Sequence, residues 1–221
     1  MINFKKYGKR CLSLFLAASM ILMPAVQIFA EEETAAATTD STQTAEEDRE
    51  TQRQNCYAIV PDSNSVENWP QGPATYADSA IVMDMNSGAV LYSKQIEKKH
   101  YPASITKLLT TLVALDNAEL TDTVEFSQDS ISFLEYGDAH IGMTPGEQIS
   151  MEDALYAVLL ASANEVSYAV AESVGKKMGG GYDTFIQAMN DESEKLGCTG
   201  SHWTNANGLH DEQHYTTAHD M

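Results

Sequence analysis

The chain is poor in basic residues and in cysteine. Its 221 residues include 13 Lys and Arg against 32 Asp and Glu, which gives a formal net charge of −19. So acidic a surface repels nucleic acid and anionic lipid, and it gives no support to a nucleic-acid function. Cys56 and Cys198 could form a disulfide in an exported chain or remain free thiols, and neither has the motif context of a catalytic cysteine.

The N-terminus has the pattern of a secretory signal peptide. Four basic residues at positions 5–10 precede an apolar segment from Leu12 to Val26, which is short, is interrupted by Pro24 and is poorly suited to span a bilayer. Ala30 then supplies a small residue for cleavage before Glu31. We interpret residues 1–30 as a signal peptide, with an uncleaved membrane anchor as the alternative. Without them, nine basic residues face 32 acidic ones, a net charge of −23.

Residues 31–75 lack the composition of a folded segment. Residues 31–54 are mainly Glu, Thr, Ala, Gln and Asp, with no aromatic residue, and such a stretch cannot bury enough apolar surface to offset its ordering entropy. We therefore predict an acidic Thr/Ala/Gln-rich linker over 31–75 and a folded domain over 76–221.

The domain mixes strand and helix patterns. Two short strands, at 80–85 and 89–92, flank the turn Asn86-Ser87-Gly88 and predict a β-hairpin. A helix is predicted from Ser104 to about Leu115, with one buried apolar stripe (Ile105, Leu108, Leu109, Leu112 and Val113). A short strand is predicted at 124–126. Three further helices are predicted: one over 154–161, a second that follows it and ends at about Val174, and a third that ends at Gly197.

Ser104 and Lys107 stand three residues apart at the start of the first predicted helix. Pro102 suits a helix entrance, and residues at this spacing are neighbours on a helix surface. At the edge of an apolar stripe the amine would be partly desolvated, which lowers a lysine pKa and lets the neutral amine take a proton from a hydroxyl. The spacing fits a serine nucleophile and its base, although a serine cap beside a solvated lysine is the commoner meaning of this motif alone.

A polar Ser-x-Asn, formed by Ser162 and Asn164, directly follows the apolar helix predicted over 154–161. Unpaired polar groups near a core cost about 1–3 kcal/mol each, so these two side chains need polar partners. Ser104 and Lys107 are the obvious ones; an ordinary helix cap at a helix junction is the alternative.

These elements, in this order, resemble the exported D-alanyl-D-alanine carboxypeptidases, the low-molecular-mass penicillin-binding proteins. The resemblance runs from about Tyr76 to Met221. It rests on the 81–92 hairpin, Pro102–Lys107, Pro145–Glu147, Ser162–Asn164, Asn205–Leu209 and Tyr215–Asp220. It implies an α+β fold of the β-lactamase/transpeptidase type, with an antiparallel sheet packed against helices and an all-helical subdomain over about 116–215.

The resemblance also implies an activity that needs no cofactor and no metal. Ser104 would attack a peptidoglycan stem peptide ending in D-Ala-D-Ala, with Lys107 as general base, and its backbone N–H would be one oxyanion donor. Ser162 would relay a proton, and Asn164 would orient Lys107 and hold the substrate amide. D-Alanine would leave, and water would then hydrolyse the acyl-enzyme. β-Lactams would be trapped as slowly hydrolysed acyl-enzymes. The enzyme would work outside the cytoplasm, in the cell wall or at the outer face of the cytoplasmic membrane.

One motif of the family is missing from the chain. No Lys-Thr-Gly or Lys-Ser-Gly follows Ser162, although the family has this strand further along, and a helix pattern that opens at Thr216 ends with Met221. We therefore interpret the 221 residues as the N-terminal part of a longer protein and expect them to be inactive alone. The family's C-terminal β-domain and amphipathic membrane anchor, through which the protein could associate with the membrane, are also missing.

Three other interpretations fit parts of the sequence. A class A β-lactamase usually has Ser-Asp-Asn as its second motif and a Glu-x-x-Leu-Asn, which residues 192–197 do not match. A cell-wall binding module that has lost its chemistry would explain the missing third motif. A zinc site could use His210, His214 and His219, but the sequence favours exposed loop histidines.

Overall fold

The computed structural model describes residues 32–65 and 67–221, with side chains over 45–63 and 67–221. The predicted signal peptide lies outside the described residues. Residues 50–221 form one compact unit, and the described residues 32–49, which are helical, belong to a second unit. The described part of the chain contains no helix that is both long enough and apolar enough to cross a membrane.

Six helices and four short strands make up the described chain. In order they are α1 (Glu32–Ala58), β1 (Ala80–Met83), β2 (Val90–Lys94), α2 (Thr106–Asn117), β3 (Thr123–Glu125), α3 (Asp129–Ser132), β4 (Gln148–Ser150), α4 (Met151–Leu160), α5 (Asn164–Lys177) and α6 (Tyr182–Lys195). Single 3₁₀ turns lie at Asp62–Ser65 and Ala103–Ile105.

The structure differs from the predicted linker over 31–75 in two respects. Residues 32–58 are helical, in keeping with the helix propensity of their Ala, Glu, Gln and Arg residues. The segment also makes tertiary contacts: Tyr57 packs on Tyr76 with ring centroids 4.7 Å apart, and Trp69 Nε1 donates a hydrogen bond to Leu91 O in the hairpin. Ordered structure therefore begins before residue 76.

Lys94 fixes this segment to the hairpin. Its side chain is completely buried, and Nζ donates to the carbonyl oxygens of Cys56 (2.6 Å), Thr75 (2.9 Å) and Ala77 (2.8 Å). Three carbonyl oxygens match the three hydrogens of an ammonium, so the buried group is fully hydrogen-bonded. Cys56 and Cys198 are free thiols.

The predicted hairpin is confirmed. β1 and β2 pair in antiparallel register from Ala80–Lys94 to Met83–Val90, with an irregularity at Val82 and Met83, and Gly88 turns with φ +72°. A second antiparallel pair joins β3 to β4. The β4 strand was not predicted, because Gln148–Ser150 is short and lies next to the Gly- and Pro-containing stretch 137–146.

The helical core surrounds α5. Its buried residues include Val166, Ala169, Val170 and Val174, and they pack with α2, α4 and α6. Helices α4, α5 and α6 were all predicted, and Ser150 caps α4 by accepting a hydrogen bond from Asp153 N. Residues 218–220 form a turn rather than the predicted helix start.

The predicted burial of the α2 stripe is confirmed at Val113 but is wrong at three of its other residues. Three residues of the expected stripe are exposed: Ile105 by 52%, Leu108 by 57% and Leu112 by 38%. Together with Val113, the buried face carries residues outside the predicted stripe: Thr106, Lys107, Thr110, Thr111 and Ala114. Apolar periodicity places the helix correctly but cannot identify its buried face when polar side chains have partners inside the protein.

Candidate active site

Ser104 lies at the surface, in the 3₁₀ turn that leads into α2. The preceding residue, Ala103, has φ +50°, which is uncommon for a residue with a Cβ. Gly208 packs against this turn so closely that an added Cβ would lie 1.9 Å from Ala103 O. The Ser104 turn is therefore held from one side by the loop around Gly208.

Lys107 lies below Ser104 and is almost fully buried, with 2% of its surface exposed. Its Nζ donates to Ser104 Oγ (3.2 Å), Asn164 Oδ1 (2.8 Å) and Asn207 O (2.6 Å). Two of these acceptors belong to residues that the sequence singled out. The third is a backbone carbonyl.

Ser162 and Asn164 are placed by the junction between α4 and α5. Ser162 has φ +54°, and its Oγ donates to Ser104 Oγ at 2.8 Å. Asn164 is the first residue of α5, and its backbone N–H donates to Ala139 O at 2.8 Å. The structure thus brings together the side chains of Ser104, Lys107, Ser162 and Asn164.

The electrostatic environment prepares Lys107 to lose its proton. Burial lowers the pKa of Lys107 to about 8, against the opposing effect of the Glu165 and Asp138 carboxylates. Glu165 is itself completely buried; its Oε1 accepts from Ile141 N at 2.7 Å, and its Oε2 has no hydrogen-bond partner among the described residues. A lysine with a pKa this close to neutrality can act as a base.

The loop from Asn205 to Gly208 supplies the third acceptor of Lys107, the carbonyl oxygen of Asn207. No role for this residue was predicted from the sequence. Ala206 is fixed from both sides, because its N–H donates to Tyr182 Oη (3.1 Å) and its O accepts from Thr110 Oγ1 (2.7 Å). Burial raises the pKa of Tyr182 to about 12, so its hydroxyl stays neutral. The carbonyl of Asn207 then reaches Lys107. The sequence identified this loop as a motif, but it could not predict that a backbone carbonyl would bind the lysine, because every residue has such a carbonyl.

The three loop histidines lie in different environments. His210 is exposed and packs edge-on against Tyr101, and His219 is exposed and pairs with Glu97 Oε1 at 2.7 Å. His214 is 1% exposed, so the prediction that it is an exposed loop residue is wrong; Thr106 and Thr204 bind its ring nitrogens. Within the described residues, no three His, Cys, Asp or Glu side chains are grouped to hold a metal ion.

A second serine–histidine pair does not form a comparable site. His100 Nε2 lies 2.6 Å from Ser79 Oγ, and its Nδ1 lies 3.9 Å from Asp78 Oδ2. However, the Ser79 hydroxyl donates to Gln95 O at 2.8 Å. Its hydrogen is therefore not directed at His100, and the histidine cannot take it as a general base in this arrangement.

A surface serine that is hydrogen-bonded to a desolvated lysine and to a second serine has the groups that a serine acyl-transfer site requires. The fold leads to the same class. The chain superposes on penicillin-binding protein 5 from Haemophilus influenzae with a TM-score of 0.62 at 26% identity, covering 68% of this chain and 44% of that one. On the D-alanyl-D-alanine carboxypeptidase from Mycobacterium tuberculosis the TM-score is 0.58 at 32% identity, covering 73% and 57%.

The sequence comparison narrows this class to one family. The family profile described as D-alanyl-D-alanine carboxypeptidase matches residues 66–221, so the chain belongs to this family. The chain is 33% identical to D-alanyl-D-alanine carboxypeptidase DacF of Bacillus subtilis over 150 residues and 30% identical to DacC of Escherichia coli over 173 residues. These alignments cover 66% and 75% of this chain but only 37% and 42% of the two relatives.

Proposed function

We propose that the protein is a serine-type D-alanyl-D-alanine carboxypeptidase that acts on peptidoglycan stem peptides outside the cytoplasm and is acylated by β-lactams. The observation that carries the proposal is the position of Ser104 Oγ, which lies 3.2 Å from Lys107 Nζ and 2.8 Å from Ser162 Oγ. Family membership and the predicted signal peptide support the same assignment.

In the proposed reaction, Ser104 Oγ attacks the carbonyl carbon between the two terminal D-alanines while neutral Lys107 takes the hydroxyl proton. As the C–N bond breaks, Ser162 gives its proton to the leaving amine and takes one from Lys107, so that D-alanine departs. The ester on Ser104 is then hydrolysed by water, which restores the serine hydroxyl and releases the shortened peptide. Asn164 holds the lysine through its Oδ1 and binds the substrate amide.

A β-lactam would enter the same first step. Ser104 would open the lactam ring, but the amine formed stays attached to the acyl group and does not leave the site, so the ester persists.

The experiment is to incubate the complete protein with a labelled penicillin and to identify the modified residue by peptide mass. A stable adduct on Ser104, absent from Ser104→Ala, together with release of D-alanine from a D-Ala-D-Ala peptide, is expected. Rapid turnover of the penicillin without a stable adduct would instead identify a β-lactamase. A folded protein that forms no adduct and releases no D-alanine would identify a binding module.

A further inference from the structure

His214 connects the loop that holds Lys107 to the helix that carries it. Thr204 N–H donates to His214 Nδ1 at 3.0 Å, and Thr106 Oγ1 lies 2.8 Å from His214 Nε2. Thr204 opens the loop that continues to Asn207, and Thr106 directly precedes Lys107 in the sequence. The imidazole therefore bridges the two segments that meet at the amine.

The contacts of the ring define its tautomer. Because the Thr204 amide can only donate, Nδ1 must offer its lone pair, so in the neutral imidazole the hydrogen is on Nε2. His214 Nε2–H then donates to Thr106 Oγ1. Burial lowers the pKa of His214 to about 4, with His202 adding to this effect and Asp211 opposing it. The ring thus keeps one donor and one acceptor at neutral pH.

The position of the loop decides where the lysine lone pair points. A neutral amine has two hydrogens and one lone pair, whereas Lys107 Nζ has three partners. If its hydrogens are donated to Asn164 Oδ1 and Asn207 O, the lone pair is left for the Ser104 hydroxyl. A shift of Asn207 O would release one hydrogen and let the amine rotate away from Ser104.

We infer that His214 is a positioning residue of the acylation step, which through Thr106 and Thr204 holds Asn207 O against Lys107 and so aims the amine at Ser104. The inference rests on the proposed function of Ser104 and Lys107. The site around His214 is well packed: Thr106 is completely buried, and Trp203 meets the imidazole edge-on at a centroid distance of 5.4 Å. Without its hydrogen bonds the loop would still be attached through Ala206, so we expect a shift of the loop rather than its loss.

Thr106 offers a matched pair of variants at one end of this bridge. Thr106→Val keeps the shape of the side chain but removes the acceptor of His214 Nε2–H, whereas Thr106→Ser keeps the hydroxyl. We expect Thr106→Val to lower the acylation rate constant of the complete protein for a labelled penicillin by at least about tenfold, since small misplacements of catalytic groups have effects of this size. The dissociation constant of the complex before acylation should stay within about twofold, because no penicillin-binding group is removed. Thr106→Ser should restore most of the rate.

His214→Asn changes the other end of the same bridge, and the two changes test each other. If both act through one hydrogen bond, Thr106→Val combined with His214→Asn should be little slower than the slower single variant. His219→Asn is the control, because His219 is exposed and contacts Glu97 rather than the loop at the site. Thermal melting of each variant identifies any that fail to fold.

The outcomes separate the two proposals. If the unmodified protein forms no adduct on Ser104, the proposed function fails. If it forms the adduct and folded Thr106→Val or folded His214→Asn is acylated within twofold of its rate, the inference about His214 is overturned. The same holds if the losses of the two single variants multiply in the double variant, or if Thr106→Ser is as slow as Thr106→Val, because the hydrogen bond would then not carry the effect.

Discussion

The two faces of α2 reverse the usual distribution of side chains. The face turned inward carries Thr106, Lys107 and Thr110, while Leu108 and Leu112 are among the side chains turned outward. These three inward polar side chains have hydrogen-bond partners in the loop from Thr204 to Gly208, in α5 and in His214. Burial on this helix therefore follows the hydrogen-bond partners of a site, rather than hydrophobicity alone.

Among changes to the two faces of α2, removal of the Lys107 amine should have the largest effect. Lys107→Met fills a similar volume on the buried face but has no base, and we expect acylation of the complete protein to fall by about 10²–10⁴-fold, the usual contribution of general base catalysis. The measurement is the rate of labelling by a fluorescent penicillin. Lys177→Met, at a lysine that pairs with Asp122 on the surface, is the control. Unchanged labelling of Lys107→Met would remove Lys107 from the mechanism.

Acidification should produce the next largest effect. The pKa of Lys107 is lowered to about 8, so below that pH the side chain is an ammonium and cannot accept the Ser104 proton. We expect the acylation rate to rise as the pH increases through about 8, and to be on the order of 100-fold below its plateau near pH 6. A profile that is flat across this range, measured by stopped-flow labelling, would contradict a lysine base.

Two neighbouring threonines distinguish a partnered from an unpartnered hydroxyl on the buried face. Thr110 Oγ1 donates to Ala206 O, whereas Thr111 Oγ1 is buried without a hydrogen-bond partner among the described residues. We expect Thr110→Val to lower the free energy of unfolding by about 1–3 kcal/mol, because it leaves a buried carbonyl unpaired. Thr111→Val should be neutral or stabilising. Urea unfolding of the 221-residue chain measures both, and equal losses would contradict the assignment of their partners.

The outward leucines should give the smallest effect. In the 221-residue chain, Leu108→Ala should change the free energy of unfolding by less than about 0.5 kcal/mol, as for most exposed sites. Val113→Ala, on the buried side of the same helix, should cost more than about 1 kcal/mol because it removes two buried methyl groups. Equal losses in the two variants would show that Leu108 is covered in solution and that the contrast between the faces is smaller than described.

Much of this organisation could be predicted from the sequence. The hairpin, α2, α4, α5 and α6 follow from periodicity and turn residues, and the need to pair Ser162 and Asn164 pointed to Ser104 and Lys107 as partners. Each of these features depends on residues that are close in sequence or on a polar group that must be satisfied.

The remaining features depend on contacts over long sequence distances that residue types do not encode. Asn207 takes part through its carbonyl, which every residue possesses. His214 resembles an exposed loop histidine until Thr106, more than a hundred positions earlier, is placed beside it. The strand β4 becomes recognisable only when it pairs with β3. In each case the partner, rather than the residue itself, determines the role.

The three carbonyl oxygens that accept from Lys94 determine how far the chain can be shortened from its N-terminus, by proteases or by design, without removing a contact of the hairpin. Cleavage before residue 50 leaves all three acceptors attached to the domain. A chain that began after Ala77 would lose all three acceptors of Lys94, together with the segment that packs against the hairpin. The contacts of Lys94 therefore place the N-terminal boundary of the folded domain at or before Cys56, well before Ser104 and Lys107.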